Sequence, residues 1–120
     1  MITQKENVIV NKTINYSLEI IKYYEMLNQE KKYAIAKQRL RSSTAIGANV
    51  VEAQNGESKA DFLHKIKIAA KEAYETFYWL MLCEKSDGFK FETKYKAGLE
   101  EIIRIISKII ITGKSKTLKT

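Results

Sequence analysis

The stretch Lys59 to Lys85, KADFLHKIKIAAKEAYETFYWLMLCEK, decides the fold. Its Phe62, Ile66, Ala70, Ala73, Phe77 and Leu80 recur in steps of four and three, which keeps one side of an α-helix apolar along its length. A seam of this kind needs other helices to cover it, so the segment is expected to pack centrally.

Working upstream, QNGES separates this helix from another predicted over about Lys32 to Gln54. Asn55 and Gly56 suit the left-handed geometry that ends a helix, and Ser58 can cap the next one with Asp61 three residues on. The upstream helix carries Ile35, Ile46, Val50 and Ala53 along one stripe. Its middle, RSSTAIGANVVEA (Arg41 to Ala53), places short side chains where a helix normally carries bulk. At 100° per residue, Ser42, Ser43, Ile46, Val50 and Ala53 share the inner side, where they let a neighbouring helix approach closely. Asn49 lies at the edge of that side and needs hydrogen-bond partners if buried.

Before NQEKK, residues Val8 to Leu27 form a first amphipathic helix, with Val10, Ile14, Leu18, Ile21 and Tyr24 or Leu27 predicted to face inward. Beyond SDG, with Gly88 as the expected terminator, a fourth helix runs from Phe91 to about Ile111. It presents Tyr95, Leu99, Ile102, Ile106 and Ile109 on one face and Arg104, Ser107 and Lys108 on the other. Four helices with short connections predict an all-α fold, an antiparallel up-down-up-down four-helix bundle over residues 1–112, followed by a polar basic tail at 113–120. The absence of proline and the presence of only five glycines in 120 residues remove most of the punctuation that hairpins need.

One cysteine, Cys83, can form neither an internal disulfide nor a structural zinc site, which points to a reducing, cytoplasmic setting. No basic start leads into an apolar run in MITQKENVIVNKT, and nowhere do about 18 apolar residues pass without a charge, so neither a signal peptide nor a membrane span is expected. The net charge of +7 favours polyanionic partners, because a basic surface concentrates phosphate-bearing molecules around it. By segment the charge is −1 over residues 1–30, +3 over 31–57, +1 over 58–90 and +4 over 91–120. The excess therefore sits on the second helix and near the C-terminus.

Lys37 and Arg41, one turn apart beside Thr44 and Ala48, form the first candidate phosphate contact. Arg104 and Lys108 on the fourth helix form the second. Arg39 instead projects among Ile35, Ser42 and Ile46, where a guanidinium must snorkel to water, pair with a carboxylate or meet a partner; snorkelling near the helix start is the least costly. On the third helix Ile68, Trp79 and Leu82 fall away from the seam, among His64, Glu72 and Glu75. Three apolar residues on a polar side predict a surface for self-association.

No phosphate loop, GxGxxG, GxSxG or HExxH occurs, and one histidine cannot complete a bundle di-iron centre. His64 reads as a solvated side chain, Cys83 as a packed thiol, and Glu72 with Glu75 as solubilising charges. The expectation is a protein with no catalytic residues, metal or cofactor.

The run AKQRLRSSTAIGANVVEA followed by a short polar loop and SKADFLHKIKIAAKEAYETFYWLMLC resembles the four-helix-bundle proteins related to those encoded in 23S ribosomal RNA intervening sequences. The shared elements are Gln38, Leu40, Arg41, Ser42, Ile46, Asn49, Val50 and Glu52, the seam from Phe62 to Ala73, and the aromatic run from Tyr74 to Trp79. Arg39 stands where that pattern more often has leucine, and Ala45 where serine is frequent. The resemblance implies a small cytoplasmic bundle that assembles as a ring-like homopentamer. More distantly similar accessory proteins of diversity-generating retroelements form basic pentamers that bind nucleic acid and a reverse transcriptase. The function expected from residues and resemblance together is an oligomeric bundle binding RNA or DNA, with a scaffold for a protein partner as the alternative.

Overall fold

The computed structural model describes residues 4–29, 33–86 and 93–119, all but a short turn around Asn55 to Ser58 and the cap at Ser86 being helical. The order is α1 (Gln4–Gln29), α2 (Tyr33–Ala53), α3 (Lys59–Lys85) and α4 (Thr93–Lys119). Contacts link α1 to α2, α2 to α3, α3 to α4 and α4 back to α1, while the two diagonal pairs stay apart. Four rods closed into a ring around shared apolar side chains make a four-helix bundle. No strand occurs among the described residues, and no helix is long and apolar enough to cross a membrane.

The start of α3 forms as its sequence requires. Ser58 is extended (φ −145°, ψ 168°) and its Oγ accepts the Asp61 backbone N–H at 3.1 Å, satisfying a donor that the first turn cannot. At the other end the Ser86 N–H donates to the Leu82 carbonyl at 2.9 Å, so the cap is formed there; the terminator expected at Gly88 lies outside the described residues. Gly56 departs from expectation: its backbone does not take the left-handed conformation. Space demands the glycine instead, because a Cβ would come within 3.0 Å of the Phe62 nitrogen where the turn folds back on α3.

The core differs from the predicted stripes by small rotations. On α3 the buried residues are Leu63, Ile66, Ala69, Ala73, Thr76, Leu80 and Cys83, while Phe62, Ala70 and Phe77 are half-buried at its margin. On α4, Tyr95, Leu99, Ile102 and Ile106 are buried as predicted, with Ile109 at the edge, and the helix continues past Ile111 to Lys119.

On α1 the predicted face holds at Val10, which is buried, and at Tyr24, half-buried on the core, but Ile14, Leu18 and Ile21 are exposed, and Ile9, Thr13, Tyr16, Ile20 and Tyr23 point inward instead; the Leu27 side chain lies outside the described residues. The inward set wins because its two tyrosines bury more area than any aliphatic side chain and have polar neighbours inside. Tyr16 donates its hydroxyl to the Tyr95 carbonyl at 3.0 Å, with Gly98 on α4 leaving room for its ring. Tyr23 stacks on Tyr95 with ring centroids 4.8 Å apart.

The short side chains of α2 serve both of its neighbours. Ser42 and Thr76 join α2 to α3 through hydroxyls 2.9 Å apart, while Gly47 lies against Thr13 and Ser17 of α1. Asn49, half-buried, donates to the Ala45 carbonyl one turn back at 2.9 Å.

Candidate nucleic-acid interface

The four cations expected to meet phosphate are all exposed. Lys37 and Arg41 stand on α2, Arg104 and Lys108 on α4, and because those helices sit diagonally the four form two separate surfaces. Their electrostatic situations differ. Arg41 is committed within the chain: Nη1 reaches Glu72 Oε2 at 3.3 Å and Nη2 reaches Glu75 Oε2 at 2.5 Å. The guanidinium hydrogen bond holds the Glu75 carboxyl below the usual carboxylate range. Lys37, Arg104 and Lys108 make no ion pair with any described residue.

Glu72 and Glu75, taken from sequence as solubilising charges, are thus the partners that tie α2 to α3. No sequence spacing announces a pair 31 and 34 residues apart. Further bridges join Lys65 to Glu52 at 3.3 Å and Lys12 to Glu101 at 2.6 Å. The Lys12 bridge crosses a cleft between α1 and α4 lined by Asn11, Asn15 and Glu19 together with Val8 and Ile102.

Ile68, Trp79 and Leu82, the expected self-association surface, are half-buried in the single chain. The more exposed apolar surface lies elsewhere, in a shallow groove of about 470 Å³ between α1 and α2. Ile14 (46% exposed), Leu18 (54%) and Val51 (40%) rise from its walls, and Gly47, Ala48 and Thr44 form its floor. Ile21, at 38%, continues the same line along α1.

Arg39 does not snorkel. It is 1% exposed, with its guanidinium carbon 4.1 Å from the centre of the Tyr23 ring and 5.9 Å from that of Tyr95. Nη1 approaches the Cys83 sulfur at 3.7 Å, while Nε and Nη2 have no hydrogen bond. The electron-rich ring faces take the place of a carboxylate. Burial raises the hydroxyl pKa of both Tyr16 and Tyr23 well above the ordinary tyrosine value, against the opposing pull of Arg39. Cys83 is buried, and His64 is exposed, as their positions predicted. Among the described residues, no three histidine, cysteine, aspartate or glutamate side chains gather where they could hold a metal ion.

A solved structure with the same architecture comes from Bacteroides thetaiotaomicron, a protein of unknown function from the S23 ribosomal protein family. It is 38% identical to this chain, superposes with a TM-score of 0.81, and the match covers 89% of this chain and 98% of that one. No curated protein matches. The model of the 23S rRNA-intervening sequence proteins matches residues 5–111, spanning all four helices, and the chain therefore belongs to that family.

Proposed function

We propose that the chain is a non-catalytic, antiparallel up-down-up-down bundle that assembles with copies of itself and binds RNA or DNA through basic surfaces. The antiparallel reading rests on the order of contacts: Tyr23 and Tyr16 meet Tyr95 while Lys12 meets Glu101, and Arg39 meets Cys83 while Glu52 meets Lys65. Assembly is supported by the apolar groove between α1 and α2, which a lone chain leaves in water. Five copies is the number the family resemblance implies, and the cytoplasm is the setting it implies.

The observation that carries the nucleic-acid reading is the net charge of +7 together with Lys37, Arg104 and Lys108, which form no ion pair with a described carboxylate. The test is retention of the purified chain on structured RNA and on duplex DNA as salt is raised. Affinity should fall linearly on a log-log plot, and Lys37→Glu or the Arg104→Glu/Lys108→Glu pair should weaken binding to all sequences alike. A sample that shows no salt-sensitive retention at low ionic strength rules the reading out.

The α1/α2 groove also fits the alternative, a scaffold for a protein partner. Under that reading the charge reversals leave partner capture intact, and Leu18→Glu abolishes it.

A further inference from the structure

The outward face of α3 carries a feature that neither the fold nor the ion pairs use. His64, Lys67, Lys71, Tyr74, Tyr78 and Lys85 are all exposed, and their helical spacing lays the line from His64 to Tyr78 along the side opposite the buried Ile66, Ala73 and Leu80. Tyr74 is 61% exposed and Tyr78 52%, as exposed as the large apolar side chains of the α1/α2 groove. Two tyrosine rings this exposed, one turn apart, bury little for the fold beyond the edge contact of Tyr78 with Trp79.

The lysines beside them are equally unemployed. Lys67 and Lys71 are like charges at i and i+4, an arrangement that disfavours the helix slightly, and neither pairs with a described carboxylate. The natural partner of Lys71 would be Glu75, one turn on. Arg41 of α2 occupies that carboxylate at 2.5 Å and Glu72 at 3.3 Å, so the cations of the outward line keep their charge. Glu75 borders the line, one turn from both Lys71 and Tyr78, and is the carboxylate that Arg41 holds.

We infer that this line on α3 is a binding track for single-stranded RNA or DNA, the Tyr74 and Tyr78 rings stacking on unpaired bases while Lys67 and Lys71 meet the phosphates. The inference rests on the nucleic-acid reading above and names the class of strand and the residues that take it. Flat rings can stack only on bases that are not already paired and stacked on one another, which selects single strands over duplex. From Lys67 to Tyr78 the track covers about 16 Å of helix axis. Two cations followed by two rings one turn apart place a phosphate-binding end beside a base-stacking end on the same line.

The test is fluorescence anisotropy with a labelled single-stranded uridine 12-mer and an RNA duplex of equal length. The variants are Tyr74→Ala/Tyr78→Ala, Tyr74→Phe/Tyr78→Phe and Lys67→Ala/Lys71→Ala. The alanine pair should weaken single-strand binding by about five-fold or more per ring and leave the duplex unchanged, while the phenylalanine pair retains binding. Loss of each lysine should lower the salt slope for the single strand by about 0.7. Melting temperatures should match the parent, since all four side chains are exposed. Trp79, whose ring lies edge-on 5.5 Å from Tyr78, gives a second readout: its emission should change when the 12-mer binds and not in the alanine pair. If the parent binds the 12-mer and the alanine pair binds it equally well, the track is wrong while the nucleic-acid reading stands. If the parent binds neither probe, both fall. If the alanine pair changes the sedimentation of the chain alone, the rings cover a second copy and the track is overturned.

Discussion

Arg39 is the residue whose position is least expected, since a guanidinium with two nitrogens lacking hydrogen bonds sits inside the bundle. A buried charge without a carboxylate contributes little net stability, and an apolar chain of similar length avoids its desolvation. Arg39→Met should therefore be neutral or raise stability by about 1 kcal/mol or more in urea denaturation. Tyr23→Ala should lower it by about 3–5 kcal/mol, because it removes the ring on which both Arg39 and Tyr95 lie. The Arg41 pair with Glu75 behaves differently. The carboxyl is held low in the folded chain, so its stabilisation is full above the ordinary carboxylate range and is lost as pH falls through the folded value. Exposure of both partners limits this to about 1 kcal/mol or less. Acid titration of Glu75→Gln should show less stability than the parent at neutral pH and convergence with it in acid.

At the scale of the element, helix existence was legible throughout, and helix phase was legible on α2 and α4 but not on α1. The period of α3 and its cap at Ser58 could be read directly, because local hydrogen bonding and spacing determine them. The inner residues of α2 could be read too, since Ser42, Ser43, Ile46, Val50 and Ala53 are all buried. For α1 the same reasoning selected the wrong side, as its sequence offers two apolar stripes and only tertiary partners choose between them. The groove followed from that choice and was invisible for the same reason. Arg41's engagement was hidden because its partners lie on another helix. If the groove joins copies, Leu18→Glu or Val51→Lys should reduce the assembly to monomer in analytical ultracentrifugation at micromolar concentration. Melting of the single chain should hardly change, because both positions face water in it.

Taken as a whole, the molecule measures 52 × 24 × 20 Å, so its surface is mostly the long sides of helices. Charge is spread along those sides: Lys37 on α2, Lys67 and Lys71 on α3, and Arg104 and Lys108 on α4. Binding should consequently depend on salt through several sites at once, and no single reversal should abolish it. The two stripes of α1 add something further. Leu18 and Ile21 stand about 160° around that rod from Tyr16 and Tyr23, and the hydroxyl latch onto the Tyr95 carbonyl helps fix which of the two stripes faces the core. If a second copy seals the leftover stripe, α1 is held on both of its apolar sides, and each chain should be stiffer in the assembly than alone.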